Sequence, residues 1–222
     1  MNNPRTRDFD ERLLKIKGLT AIVEEALVNQ AKSLANDLAK DVDACTESQK
    51  EDLYESYGED YFELSTELPT LFRYSMLTAS ASAFDQYLTE TAVGYAEVKD
   101  VAIKITDLRG NGILRAQQYF QKVVRLDFPE NTSAWKNILK VRDLRNCVVH
   151  ADGYIPEQKK ELLDWIEKTP GIKLANGCII TLEPDFIHTV FEWYNSFAVD
   201  FDKACQSLGL WGTVFPDLES NK

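Results

Sequence analysis

One helix-forming run, Val141-Arg142-Asp143-Leu144-Arg145-Asn146-Cys147-Val148-Val149-His150-Ala151-Asp152-Gly153, gathers arginine, asparagine and histidine just ahead of a glycine stop, and it holds one of only two histidines in the chain. Arg142, Asn146 and His150 recur every four residues, so a 3.6-residue helix sets them on one face, with Arg145 on the adjoining flank. Two guanidiniums, an amide and an imidazole then converge. A guanidinium's forked donors match the non-bridging oxygens of a phosphate, and a histidine titrates near neutrality and passes a proton either way. These groups suffice to cleave RNA through its own 2′-hydroxyl without a metal. His150 would take the hydroxyl proton or deliver one to the leaving 5′-oxygen, Arg145 would stabilise charge on the phosphorane, and Asn146 would orient the imidazole or a phosphate oxygen. The products of such a reaction are a 2′,3′-cyclic phosphate end and a 5′-hydroxyl end. Taken alone, the same residues also suit a plain helix end, with His150 facing the helix dipole and Arg145 paired to Asp143 or Asp152 on the surface.

The elements that must position this run are nearly all helical. Phe9, Leu13, Ile16, Leu19, Ile22, Val23, Ala26, Leu27, Leu34 and Leu38 recur at three- and four-residue steps and predict a first helix from about Asp8 to Ala44. A second helix or helix pair covers about Gln49 to Glu97, with an interruption expected near Pro69 and Thr70 as its cap. Asp107 to Gly112 reads as a loop, and Ile113 to Leu126 as a helix stopped before Pro129. Thr132 or Ser133 caps the motif helix, which runs through Val149. Pro156 opens a short helix ending near Lys168. Ile172-Lys173-Leu174 and Cys178-Ile179-Ile180 flank Ala175-Asn176-Gly177, whose Asn-Gly pair favours a tight hairpin turn. Pro184 begins a last helix whose stripe, Phe186, Ile187, Val190, Phe191, Tyr194, Phe197, Ala198, Phe201 and Ala204, reads as core. His188 lies within that pattern with no arginine at motif spacing and reads as structural, as do Tyr54, Tyr57, Tyr61 and the four tryptophans.

The expected architecture is an all-α helical bundle with a long N-terminal helix and one short β-hairpin near residues 172–181. It reads as a single domain over 1–222: an N-terminal helical extension at 1–68, a core at 69–209 and a loose tail at 210–222, with packing of Trp211 and Phe215 back on the body as the alternative. With 44% apolar residues the chain can bury a sizeable core. No apolar run approaches the roughly 18 residues of a membrane span. The charged N-terminus lacks a signal peptide's apolar core, so a cytoplasmic protein without membrane partners is expected. Cys45, Cys147, Cys178 and Cys205 show no ligand spacing and read as reduced small hydrophobes, so neither a metal nor another cofactor is expected.

The net charge of −11 would argue against a nucleic-acid partner were it spread evenly. It is not. Residues 41–67 hold ten acids against Lys50, whereas residues 99–150 hold ten bases against five acids. The motif segment is therefore locally basic, and Arg142 and Lys140 are candidate phosphate contacts beside it. The acidic stretch reads first as a solvated helical face and, more sharply, as a docking surface for a basic regulatory partner or a flap that limits RNA entry.

The Arg145-x4-His150 spacing resembles the R-x4-6-H signature of HEPN domains, helical proteins that include many metal-independent ribonucleases. Three further segments share the resemblance. Leu71 to Leu88, with its small residues and Asp85, is similar to the earlier core helix of HEPN proteins. Asp107-Leu108-Arg109-Gly110-Asn111-Gly112-Ile113-Leu114-Arg115-Ala116-Gln117-Gln118-Tyr119-Phe120 is similar to the loop and helix that lead into the motif helix in one stand-alone HEPN group. Gly171 to Thr181 precedes a long final helix in the same way. The resemblance implies an endoribonuclease acting as a toxin or antiviral defence effector, with RNA as substrate and Arg145, His150 and Asn146 as catalytic residues. It also implies a homodimer, because HEPN ribonucleases pair two motif helices across a two-fold axis and so join two histidines in one composite active site. Asp85 is the family-like acid and would pair with Arg145 or Arg142, or serve a plain structural salt bridge. A neutralising antitoxin or regulatory protein would dock at the acidic segment 41–67. Some HEPN toxins carry a modifiable tyrosine two residues past the motif histidine. Asp152 stands there in this chain, with Tyr154 two residues further, which speaks against that mode of control. The alternative within the family is a non-catalytic nucleotide- or protein-binding module.

Overall fold

The computed structural model describes residues 4–209, and the expectation for the tail with Trp211 and Phe215 falls outside them. The fold is all-α apart from one antiparallel hairpin. In chain order it comprises α1 (Pro4–Ala44), α2 (Glu47–Phe62), α3 (Leu68–Val98), α4 (Gly112–Tyr119), α5 (Ser133–Ala151), α6 (Lys160–Lys168), β1 (Ile172–Ala175), β2 (Ile179–Leu182) and α7 (Pro184–Ser207). No helix among the described residues is long and apolar enough to cross a membrane.

The break expected at Pro69 is absent. A π-helical turn, Glu63–Glu67, joins α2 to α3, and the flanking Glu63 and Leu68 both keep right-handed helical backbone. Proline lacks an N–H and its ring crowds the carbonyl four residues back, so the wider turn just ahead of it removes the conflict without ending the helix. Thr70 is therefore no cap. Its hydroxyl donates to the Thr66 carbonyl at 2.6 Å, one turn back on the same helix. Pro156 is corrected too: it opens a turn closed by the Lys159 N–H on its carbonyl at 2.9 Å, and α6 starts only at Lys160. Tyr154 pairs with Ile179, so the backbone is extended as it enters Pro156, whose fixed φ suits the first corner of a turn.

The described residues form two compact units interleaved in sequence. One takes 4–14, 80–143 and 189–209. Its core is aromatic: Phe9 stacks on Tyr87 at 4.7 Å, Phe84 on Tyr194 at 4.5 Å, and Phe128 meets Trp135 edge-on at 4.9 Å. The α7 stripe read as core is buried from Phe186 to Phe201. Thr6, Tyr87 and Asp202 form a buried polar knot, with the Thr6 hydroxyl donating to Asp202 at 3.0 Å. The other unit takes 15–79 and 144–188. Within it Arg73 on α3 grips Glu24 on α1 with two 2.7 Å hydrogen bonds and donates a third to the Leu182 carbonyl at 2.8 Å, tying two helices to β2.

Helix α5 begins where expected. The Thr132 side-chain oxygen accepts the Trp135 N–H at 3.2 Å, satisfying a donor the first turn leaves open. Thr132→Ala is expected to cost about 1 kcal/mol of stability, read as a lower midpoint in urea unfolding at unchanged slope.

Candidate active site

Along α5 the buried positions are Ala134, Trp135, Ile138, Val141, Leu144 and Cys147. Over its last three turns the buried set is Val141, Leu144 and Cys147, and helical geometry turns Arg142, Asn146 and Val149 to the opposite side with His150 next to them. Burial agrees with that geometry: Arg142, Arg145 and Asn146 are half-buried and His150 is exposed, as is the apolar Val149 at 45%. The Arg145 guanidinium is steadied by its neighbour, Nη1 donating to Asn146 Oδ1 at 3.3 Å. Asn146 thus holds the arginine, where the sequence pointed to the imidazole or a phosphate oxygen. The surface pairing considered for Arg145 with Asp143 is taken by Arg142, whose Nη1 lies 3.4 Å from Asp143 Oδ1. Because the carboxyl end of a helix dipole opposes an anion, any phosphate held here relies on the guanidinium for its attraction.

What fixes this helix end is an anchor that sequence pattern did not expose. Asp152 and Gly153 both adopt left-handed backbone, φ 47° and 79°, and the Tyr154 N–H returns to the Ala151 carbonyl at 2.8 Å, so the chain reverses one residue past α5. The segment after the reversal then joins the hairpin. Ile180 N–H donates to the Gly153 carbonyl at 3.0 Å and Ile155 N–H to the Cys178 carbonyl at 2.8 Å. Tyr74, buried on α3, closes the junction: its hydroxyl donates to the Ile180 carbonyl at 2.5 Å and packs on the bare Cα of Gly153. Lys159 adds a contact from the next turn, Nζ to Cys147 Sγ at 3.3 Å. His150 thus projects from a helix end clamped by a β-hairpin and a buried phenol.

Burial first, and then the charge of Asp152, pushes the Tyr74 hydroxyl up from 10.0 to about 12. Between those values the unfolded chain has released this proton and the folded chain still holds it, so this group's contribution to stability falls as pH rises from 10 to about 12. Tyr74→Phe is expected to lose about 1 kcal/mol at neutral pH with the hydrogen bond. Urea midpoints measured at pH values of about 9 and about 11 should fall less in the variant than in the wild type.

The remaining candidates are placed as follows. Lys140 is half-buried on α5. Asp85 lies on α3 against the first turn of α4, with both its carboxylate oxygens 3.6 Å from where a Gly112 side chain would start, an ordinary contact distance; what favours glycine there is its left-handed φ of 57°. His188 is half-buried on α7. Among the described residues no group of three or more His, Cys, Asp or Glu side chains is placed to hold a metal ion. Set against known protein families, curated proteins and solved structures, the chain matches none.

Proposed function

We propose that this chain is a metal-independent endoribonuclease of the HEPN type. The observation that carries the reading is an amide-held Arg145 guanidinium and an exposed His150 imidazole on the last two turns of one clamped helix end. In the reaction the ribose 2′-oxygen bonds to phosphorus as its proton passes to an imidazole, and the bond from phosphorus to the 5′-oxygen breaks as that oxygen takes a proton. Arg145 offsets the charge that builds on the non-bridging oxygens between these events. Arg142 and Lys140 contribute positive charge along the RNA backbone.

A base and an acid act in this sequence, and one chain brings one motif histidine. The working unit is accordingly a homodimer with a two-fold axis, which joins two His150 and two Arg145 in one cleft. Exposed Val149 among the polar residues of the same face suits such a contact. The physiological role that accompanies this reading is that of a cytoplasmic toxin or defence effector, restrained by a regulatory protein. The test is incubation of wild type, His150→Ala and Arg145→Ala with total RNA and tRNA in EDTA. Wild type cleaves and both variants, folded by circular dichroism, do not; equal activity in all three removes these residues from the reaction.

A further inference from the structure

From Ala21 to Glu67 no side chain is fully buried, although the segment is helical almost throughout. It is the rest of α1, turned back through Cys45 and Thr46 into α2 and the π turn. The two helices meet along a thin seam of half-buried residues that includes Leu34, Leu38, Leu53 and Tyr57, with the Tyr57 hydroxyl donating to Asp41 at 2.5 Å. A two-helix layer of this kind leaves much of its apolar surface in water. Beside the seam, Tyr54 and Tyr61 are exposed at 52% and 48%, and Phe62 at 54%. They follow one another at helical spacing around Gly58, so one flank of α2 carries aromatic rings on either side of a glycine.

Among the described residues nothing explains a glycine at 58. Its backbone is ordinary helix, a mid-helix glycine weakens a helix relative to alanine, and a side chain added there would meet nothing within 4 Å. The position opens a notch between Tyr54 and Tyr61 that nothing among the described residues fills. Charge selects what can fill it. Residues 21–67 hold thirteen acids against Lys32, Lys40 and Lys50, and Lys40 and Lys50 are taken up by Asp37 and Glu47 one turn away. Like charge disfavours RNA, an anionic lipid surface or a second copy of the same arm.

We propose that this acidic, aromatic arm is the docking surface for a cationic amphipathic helix of a partner protein, whose apolar stripe lies over Tyr54, Tyr61 and Phe62 and enters the notch at Gly58. Aromatic anchors at a glycine gap supply register, and the surrounding acids supply attraction and on-rate. The partner's lysines and arginines replace the cations that the arm itself lacks.

The test uses the full chain and a fluorescent synthetic leucine–lysine helix of about eighteen residues, five turns long, with its leucines in one stripe. A second peptide of identical composition has the stripe scrambled. Fluorescence anisotropy at about 0.15 M salt is expected to show one striped peptide per chain, bound at least about tenfold more tightly than the scrambled one. Gly58→Leu, which fills the notch with a residue that favours helix, and the pair Tyr54→Ser with Tyr61→Ser should each remove that preference while the circular dichroism stays helical. His150→Ala should bind as wild type does, which separates this surface from the ribonuclease reading. Equal binding of the two peptides, indifference to Gly58→Leu, or self-association of the chain through the arm would overturn the proposal.

Discussion

His150→Ala is expected to lower single-turnover cleavage of RNA by about 10³- to 10⁴-fold, the upper part of the range for removing a positioned acid or base. The loss should fall on the chemical step and leave RNA binding nearly unchanged, because the arginines and Lys140 stay in place. Two features of the structure bear on the size of this effect. His150 is exposed on the last turn of α5, so alanine removes the imidazole without opening a cavity. The fold does not lean on it, and the variant should melt within about 0.5 kcal/mol of the wild type, as surface substitutions do. Arg145→Lys provides the companion measurement. It keeps the charge and loses both the fork and the planar hydrogen bond to Asn146 Oδ1, and should cost about 10²-fold in rate. A variant series in which lysine restores full rate would leave Arg145 a general electrostatic role and no part in steadying the phosphorane.

The largest effect on stability is expected from one added methyl group. A Cβ at Gly153 would lie 2.1 Å from the Tyr74 hydroxyl oxygen and 2.8 Å from the ring carbon that bears it, and the backbone there has φ 79°. The phenol has no room to yield, since it is buried and hydrogen-bonded to the Ile180 carbonyl. Gly153→Ala therefore combines overpacking with left-handed strain and should cost about 3–4 kcal/mol, several times the effect of the Thr132 cap. The turn at 152–153 and its bonds to β2 are what hold the end of α5, so the variant should also lose activity out of proportion to its folded fraction. Tyr74→Phe in the same background is the informative control. It clears the oxygen that the methyl group meets first and should recover part of the lost stability, a coupling readable in a double-mutant cycle.

The sequence was legible where the physics is local. The helical period of α1, the polar cap at Thr132, the Asn-Gly turn with Asn176 at φ 50° and Gly177 at φ 74°, and the apolar stripe of α7 each depend on residues a few positions apart. The π turn before Pro69 was not legible, because proline marks a conflict without saying whether the helix ends or widens to absorb it. Pro156 hides its role for a related reason: the extended backbone before it comes from pairing with Ile179, twenty-five positions away from Tyr154. At the site, the shared side of Arg142 and Asn146 with His150 beside it follows from helix geometry, and the contact of Asn146 with Arg145 is one between chain neighbours. The clamp that holds them follows from neither. Tyr74 sits in a small-residue helix where a tyrosine reads as ordinary core, and its role depends on a contact with Gly153 and a carbonyl of β2 that share no sequence pattern with it. Gly153 does stop the helix, as its place in the sequence suggests, but the close approach of a phenol is the stronger reason for glycine there.

The chemistry of the fragment ends tests the central claim most directly. RNA cleaved by the purified wild-type chain in EDTA would be analysed by mass spectrometry for its 3′ termini and by kinase labelling for its 5′ termini. The account predicts 2′,3′-cyclic phosphate and 5′-hydroxyl ends, with no cleavage at a site carrying a 2′-deoxyribose. Fragments ending in 3′-hydroxyl and 5′-phosphate, or cleavage that persists at the deoxy site, would contradict it.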